Sequence, residues 1–450
     1  MTNKLPKGWM WTRLGEICLD PQYGWTTSAV EKGRLHLLRT TDITSGNIDW
    51  DSVPFCKKEP LEKEKYLLED GDVVISRAGS VGYSYLIKNP ENAVFASYLI
   101  RFKPLVDEQY LAYFLKSPSY WESISEKSLG IAIPNVNATK LKQINLPLSP
   151  LPEQYRIVAK IEEVFSNLDA GVDALKKIKE QLKHYRQAVL KYAFEGKLTE
   201  EWRQRMLNEE QENSKLKIQN SKLNDISKFK IDNSKLKELP ELPERWVGTR
   251  IGKLVLFEYG KGLPKRKREK GSVPVYGSNG IVGYHSKSLV KGPCIIVGRK
   301  GAAGMVHLSK EDCWPIDTTY YVIPPVGTDI YFLYYLLYVL NLSSLDKSTA
   351  IPGLNRNDAY NIKIPLPPLL EQHKIVEEIE RRFSIADEVE KVVEQSLKQA
   401  ERLRQSILKR AFEGKLVPQD PSDPPASELL EQIKAKKVKK RKVDRKKLKF

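Results

Sequence analysis

The feature that most restricts the fold of this chain is that it is written twice, with a long period. Leu5-Pro-Lys-Gly-Trp9, followed by Thr12-Arg13-Leu14-Gly15, recurs as Leu242-Pro-Glu-Arg-Trp246, followed by Thr249-Arg250-Ile251-Gly252. Ala132-Ile-Pro-Asn-Val-Asn137 recurs as Ala350-Ile-Pro-Gly-Leu-Asn355. Residues 151–198 align without a gap on 369–416, identical at 21 of 48 positions, and both copies end in Ala-Phe-Glu-Gly-Lys-Leu. Between the Trp and Ile-Pro landmarks the copies diverge, and the second is 19 residues shorter. A shared frame around a divergent interior predicts two copies of one fold facing different targets.

The matched segments read as helices. Each opens with prolines and a glutamate, at Pro150-Leu-Pro152-Glu153-Gln154 and Pro367-Pro368-Leu-Leu-Glu371-Gln372. Proline suits a helix's first turn and Glu suits its dipole. Gly196 and Gly414 are natural stops. Between them runs a heptad. Its pairs are Ile157/Ile161, Val164/Leu168, Gly171/Leu175, Ile178/Leu182 and Tyr185/Val189 in the first copy. In the second they are Ile375/Ile379, Arg382/Ala386, Val389/Val393, Ser396/Ala400 and Leu403/Ile407. Chain order then predicts an antiparallel coiled coil, with a globular part at each end and a pseudo-two-fold axis. About 42 helical residues span roughly 63 Å, one to two turns of DNA.

The globular parts read as mixed α/β modules. Asp70–Ser76 and Cys294–Gly298 look like a turn and a buried strand, Ser97–Phe102 and Thr319–Ile323 like further strands, and Glu108–Leu115 and Ile330–Leu340 like short helices. The segments expected are a first module over 1–149, a helix over 150–198, a polar low-complexity linker over 199–241 and a second module over 242–366. A second helix is expected over 367–416, then a basic tail over 417–450, disordered or briefly helical through Leu429, Leu430 and Ile433.

The formal charge is +17, and its placement matters more than its size. Lys434 to Phe450 holds eleven Lys/Arg against Asp444 alone, and Arg245–Lys363 holds 17 Lys/Arg against 8 Asp/Glu. The second excess lies in a segment that reads as folded and points to a nucleic-acid partner. Candidate DNA contacts are Trp25, Thr26, Thr27, Arg39, Arg77 and Ser80 in the first copy. In the second they are Lys261, Lys265, Arg266, Arg268, Ser278, Asn279, Arg299 and Lys300. Arg reads guanine edges or grips phosphate, Asn pairs with adenine, and Ser and Thr reach either. Arg77-Ala-Gly79 and Arg299-Lys-Gly301 occupy matched places, as a base contact or as a shared structural turn.

No P-loop string occurs. Asp423-Pro-Pro-Ala426 lacks the aromatic that an amino-methyltransferase motif needs, and Glu62-Lys-Glu64-Lys65 is common on charged surfaces. Cys18, Cys56, Cys294 and Cys313 have no metal spacing and read as free thiols of a reducing cytoplasm. No apolar run is long enough to span a membrane. The chain is expected to read DNA without cutting or modifying it, with no metal or cofactor of its own.

The Leu-Pro-x-x-Trp start, the Ile364-Pro-Leu-Pro-Pro-Leu-x-Glu-Gln372 helix start and the Ala-Phe-x-Gly-x-Leu helix end, each present in two copies, resemble the type I restriction–modification specificity subunits. The resemblance covers roughly 5–416. It implies one target recognition domain per half of a bipartite site. It also implies a coiled coil that docks two methyltransferase subunits bringing S-adenosylmethionine, and motor-nuclease subunits using ATP and Mg. The 209–238 stretch and the basic tail depart from the family's compact form. Two other readings stay open: a free-standing two-module DNA-binding protein, and a coiled-coil scaffold whose modules bind proteins or glycans.

Overall fold

The computed structural model describes residues 5–128, 135–216, 241–345 and 353–447. The Ile-Pro landmarks, 217–238 of the polar stretch and the last residues of the tail therefore lie outside the described residues. The chain divides into two compact units, 1–175 with 394–450, and 176–393. Each unit holds one globular part and half of each long helix.

The first unit is built on a four-stranded antiparallel sheet in the order Gln22–Tyr23, Leu99–Phe102, Val73–Ser76 and Ser84–Leu86. Val73–Ser76 is an all-apolar run ending in serine, and every residue of it is buried. A second sheet pairs Ala29–Val30, Phe55–Cys56, His36–Leu38 and Ala93–Phe95, the last two in parallel. A ribbon of Met10–Arg13 on Asn145–Leu148 joins the two ends of the module, with Met10 opposite Leu148.

The second unit repeats the first sheet strand for strand, in the order Glu258–Tyr259, Thr319–Val322, Cys294–Gly298 and Val306–Ser309. Its ribbon sets Val247–Arg250 on Lys363–Leu366. The other sheet differs, having three strands, Gly280–His285, Val273–Gly277 and Trp314–Pro315. Divergence between the copies is thus concentrated in that sheet and in the loops. All four cysteines are buried and unbonded, and the Cys294 and Cys313 sulfurs face each other at 3.4 Å.

The landmarks shared by the copies are the joints of the structure. Trp9 Nε1 donates to Glu153 at 2.8 Å, and Trp246 Nε1 donates to Glu371 at 2.9 Å. Gln154 and Gln372 each accept from the backbone of an N-cap aspartate, Asp107 at 3.2 Å and Asp329 at 2.8 Å. Those caps start the short helices Glu108–Phe114 and Ile330–Val339. One carboxylate and one amide at the start of each long helix thereby lock the module's first tryptophan and its central helix onto the helix pair.

The long helices run from Leu151 to Phe194 and from Leu369 to Phe412. Gly196 and Gly414 come just after them at positive φ, +73° and +67°. In the first unit Ile157 and Ile161 share a core with Ile407, Leu408 and Ala411. In the second, Val189, Leu190 and Ala193 share one with Ile375, Val376 and Ile379. The start of one helix lies beside the end of the other, so the pair is antiparallel.

The seam follows the expected heptad in five of the ten pairs and differs from it at one position of each of the other five. Ile161, Leu168, Leu175, Leu182 and Val189 are covered, as are Ile379, Ala386, Val393, Ala400 and Ile407. Gly171, Ile178, Tyr185, Val389 and Leu403, however, are exposed. The second covered row runs one residue later, through Phe165, Val172, Lys179 and Arg186, and through Phe383, Glu390, Leu397 and Arg404. Charge accounts for half of that row, Lys179, Arg186, Glu390 and Arg404, the rest being Phe165, Val172, Phe383 and Leu397. Arg186 reaches Asp387 at 2.6 Å and Glu390 at 2.9 Å, Lys179 reaches Glu390 at 3.9 Å, and Arg404 pairs with Asp169. A hydrophobic heptad passes over such positions, where long stems lie along the seam and charged ends pair across it.

Two further helices trail the long ones. Glu200–Leu216, at the start of the stretch expected to be a polar linker, docks through Arg203, whose Nε meets Glu371 at 2.9 Å. Ala426–Lys447 buries Ala426, Leu430 and Ile433 in the core of the first unit. The Asp423-Pro-Pro string before it is a joint, where Asp423 binds Arg156 at 2.5 Å. No described helix is long and apolar enough to cross a membrane, and the described residues include no cluster of three potential metal ligands.

Candidate nucleic-acid interface

The matched Arg-x-Gly turns organise each candidate face. In the first unit, strand Val73–Ser76 ends at Arg77, and Gly79 turns at φ +81°. The Arg77 backbone is clamped on both sides, its N–H donating to Tyr98 O at 2.9 Å and its carbonyl accepting from Val136 N at 3.0 Å. In the second unit Cys294–Gly298 ends at Arg299, and Gly301 turns at φ +78°. Arg299 N–H donates to Thr318 O at 2.8 Å, and its carbonyl accepts from Leu354 N at 2.9 Å. The turn is therefore a structural device in both copies, fastening the central strand to the segment after the Ile-Pro landmark.

Its arginine side chains do something further. Each guanidinium lies over a tyrosine ring, Arg77 over Tyr23 at 5.2 Å and Arg299 over Tyr259 at 5.3 Å. Stacking of this kind positions a guanidinium while leaving N–H groups for another acceptor. Arg77 Nε is buried and finds no acceptor among the described residues. Arg299 gives Nε and one terminal nitrogen to Asp317 O, at 3.1 and 2.6 Å. A second arginine, Arg356, lies over Tyr259 at 5.1 Å, with no hydrogen-bond partner among the described residues. The first copy has Ala138 at that place, and Ala138 N donates to the Tyr23 hydroxyl at 3.0 Å.

The other candidates divide into two groups. Some are committed to their own protein. Trp25 donates to Lys58 O at 2.8 Å and packs edge-on to Tyr66, while Thr27 accepts from Lys58 N at 3.1 Å. Arg39 grips Asp42 with two nitrogens at 3.1 and 2.7 Å. Arg268 braces its loop by donating to Leu263 O and Val282 O, at 3.2 and 2.7 Å. Ser278 is buried, its hydroxyl 2.6 Å from the carbonyls of both Lys300 and Thr318. Ser80 is half-buried in the Arg77 turn. The others stand at the surface: Thr26, Lys261, Lys265, Arg266, Asn279 and Lys300. Lys265 and Arg266 sit in a short 3₁₀ turn, and Asn279 lies at the tip of the hairpin Val273–His285.

Tyr23, Tyr259 and Arg356 were missed as site residues by sequence reasoning. A signal for the tyrosines existed, because each precedes a glycine. A Cβ on Gly24 would lie 2.2 Å from Ala96 O, and one on Gly260 would lie 2.1 Å from Ile316 O. Both Tyr-Gly pairs are therefore forced by a close backbone approach at the same edge of the same sheet. Arg356 carried no such mark, since its counterpart is alanine.

Comparison with known proteins agrees with this architecture. Residues 6–184 and 243–399 match the family described as Type I restriction modification DNA specificity domain. The chain is 27% identical to the EcoKI specificity subunit of Escherichia coli K12, covering 97% of each chain, and 28% identical to the EcoDI specificity subunit of Escherichia coli, covering 92% of this chain and 95% of that one. Its fold is similar to that of the HsdS subunit from Thermoanaerobacter tengcongensis, with a TM-score of 0.54 and 19% identity over 92% of this chain and 99% of that one. A chain solved in work on complex assembly of the type I system gives a TM-score of 0.69, with 18% identity over 92% of this chain and 99% of that one. The paired modules, the antiparallel helices and these matches together place the chain in the family of type I restriction–modification DNA specificity subunits, the non-catalytic component of those enzymes.

Proposed function

We propose that each unit reads one half of a bipartite duplex target, and that methyltransferase subunits dock on the outer face of the helix pair. The observation that carries the first part is the repetition of one arginine-over-tyrosine arrangement on two otherwise different sets of loops. A framework of this kind holds cationic donors at a fixed place while the surrounding side chains set which bases are accepted. The second part rests on apolar surface. In the second unit Ile178, Tyr185, Ile385, Val389 and Val392 are exposed on the long helices, and in the first unit Leu403 is. Exposed apolar side chains at heptad spacing suit partner helices. Ile178, Tyr185, Val389 and Leu403 belong to the expected heptad, and this second use accounts for their apolar character.

In this reading the chain itself supplies recognition only. S-adenosylmethionine belongs to the methyltransferase subunits, ATP and Mg to motor-nuclease subunits, and the assembly works in the cytoplasm. The test is to co-express the chain with a type I methyltransferase subunit from the same genome and map methylated adenines across the host genome. A two-part motif with a constant gap and adenines methylated on opposite strands is expected. A stable complex that leaves no new methylation would overturn the reading of an active system. Absence of any complex would favour a free-standing DNA-binding protein.

A further inference from the structure

We propose that the helix Ala426–Lys447 is a phosphate-gripping arm, which holds duplex DNA beside the reading face of the first unit without contributing to base choice. This rests on the reading of the chain as a duplex-binding protein.

The helix has two halves of opposite character. The first is a docking half. Ala426, Leu430 and Ile433 are buried in the first unit's core and Leu429 packs against it. Ala426 N–H donates to Gly8 O at 2.8 Å, and Lys437 Nζ donates to Gly15 O at 2.7 Å. The arm is thus fixed along more than two turns. The second half is basic in sequence. From Lys434 to Lys447 it carries ten Lys/Arg and the single acid Asp444. Lys436, Lys439 and Lys440 are exposed and have no ion pair among the described residues. Lys437 and Lys440 share a recess of about 260 Å³ with Lys103, Arg101 and Gln22, four cations facing the single acid Asp20. Gln22 is the residue before Tyr23, the ring under Arg77, so the arm reaches the sheet edge that carries the first unit's candidate face.

Like charges three and four residues apart disfavour a helix, so this segment is suited to a dense array of anions. Duplex DNA carries one phosphate charge per ~1.7 Å of axis. A membrane surface fits less well, because an interfacial helix needs an apolar face, and this helix has already buried its own. The arm is one-sided. The trailing helix of the second unit, Glu200–Leu216, has five glutamates against Arg203, Arg205 and Lys215.

The test compares the full chain with Lys436→Gln/Lys439→Gln/Lys440→Gln, which keeps every docking contact, and with a chain ending at Ala435, which keeps Ala426, Leu429, Leu430 and Ile433 but loses the Lys437 bond. The probe is a 30-base-pair duplex of arbitrary sequence, with affinity followed by anisotropy as salt rises. Each lost phosphate contact removes about 0.9 from the slope of log affinity against log salt, so three lysines reduce it by roughly 3. Between 50 and 200 mM salt the triple variant then loses about 40-fold less affinity than the parent, and the truncated chain, which lacks further lysines and arginines, at least as much less. The motif selected from a randomised duplex library is expected to be unchanged. An unaltered slope in both variants would overturn the proposal, as would a changed motif. Loss of binding to phosphatidylserine vesicles with duplex binding intact would replace it by a membrane role. If the parent chain binds no duplex at all, the underlying reading fails, and the arm with it.

Discussion

In the second unit Glu371 is a completed joint. It accepts from Trp246 Nε1 at 2.9 Å, from the Thr199 hydroxyl at 2.8 Å and from Arg203 Nε at 2.9 Å. In the first unit Glu153 accepts from Trp9 through one oxygen, while its other oxygen is buried with no partner among the described residues. The difference comes from the segment after each long helix. Thr199 and Arg203 sit at the start of the trailing helix in the second unit, whereas the first unit has a Pro- and Asp-rich connection whose Asp423 turns to Arg156 instead. One inherited carboxylate is thus a buried ion-pair partner in one place and an under-satisfied acid in the other.

The largest predicted effect separates them. Glu371→Gln leaves Arg203 facing a neutral group in a buried site and is expected to cost about 3 kcal/mol. Glu153→Gln is expected to change stability by no more than ~1 kcal/mol, in either direction. Denaturant unfolding of both variants, followed by tryptophan fluorescence, measures this, and equal losses would remove the distinction. A pH series sharpens it. Burial pushes the Glu153 carboxyl above its ordinary 4.5, against the bond from Trp9. The folded state therefore binds that proton more tightly than the unfolded chain. Its contribution is fully present below the unfolded value and is lost as pH rises through the raised folded value. Glu153→Gln should abolish that part of the pH dependence.

The candidate faces invite the next comparison. Both hold an arginine on a tyrosine, yet only the second adds Arg356, where the first has Ala138. If Arg356 reads a base edge, Arg356→Ala relaxes the motif at one position of one half-site, with about 1–3 kcal/mol of discrimination lost. Methylation mapping or duplex selection would show it, and the half-site assigned to the first unit should be unaffected. A uniform loss of affinity across sequences would mean a phosphate contact instead.

Much of the frame was legible because repetition exposes joints. Trp9 and Trp246, Glu153 and Glu371, and Gln154 and Gln372 recur because each forms a specific bond between segments distant in the chain. The main strands were legible from buried apolar runs such as Cys-Ile-Ile-Val. The candidate faces were less so. Arg268 and Ser278 look like free polar loop residues, and nothing local in the sequence shows that Val282 O or Lys300 O will meet them, whereas Arg39 and Asp42 are a local pair three residues apart whose mutual bond keeps the arginine from a ligand. The helix seam was half legible for a related reason. Apolarity marks Ile178 and Val389 as readily as it marks Leu175 and Val393, and it does not say whether the covering surface is this chain or another.

The smallest predicted effects lie in that seam, where the halves are related but not equal. Arg186 and Arg404 occupy equivalent positions, as do their partners Asp387 and Asp169. Arg186 has a second carboxylate, Glu390, at 2.9 Å, where the first copy has Val172. Arg404 instead stacks on Phe165, with its guanidinium carbon 4.9 Å from the ring centre. Asp387 and Asp169 are well exposed, so screening holds each ion pair to ~1 kcal/mol or less. Arginine-to-lysine exchange should still tell them apart. Arg186→Lys keeps a charge between two carboxylates, and its small cost should fade as salt rises. Arg404→Lys loses the flat stacking surface, and its cost should persist in high salt. Thermal unfolding of the two variants at low and high ionic strength decides the matter, and identical salt responses would mean that the seam is held in the same way at both ends.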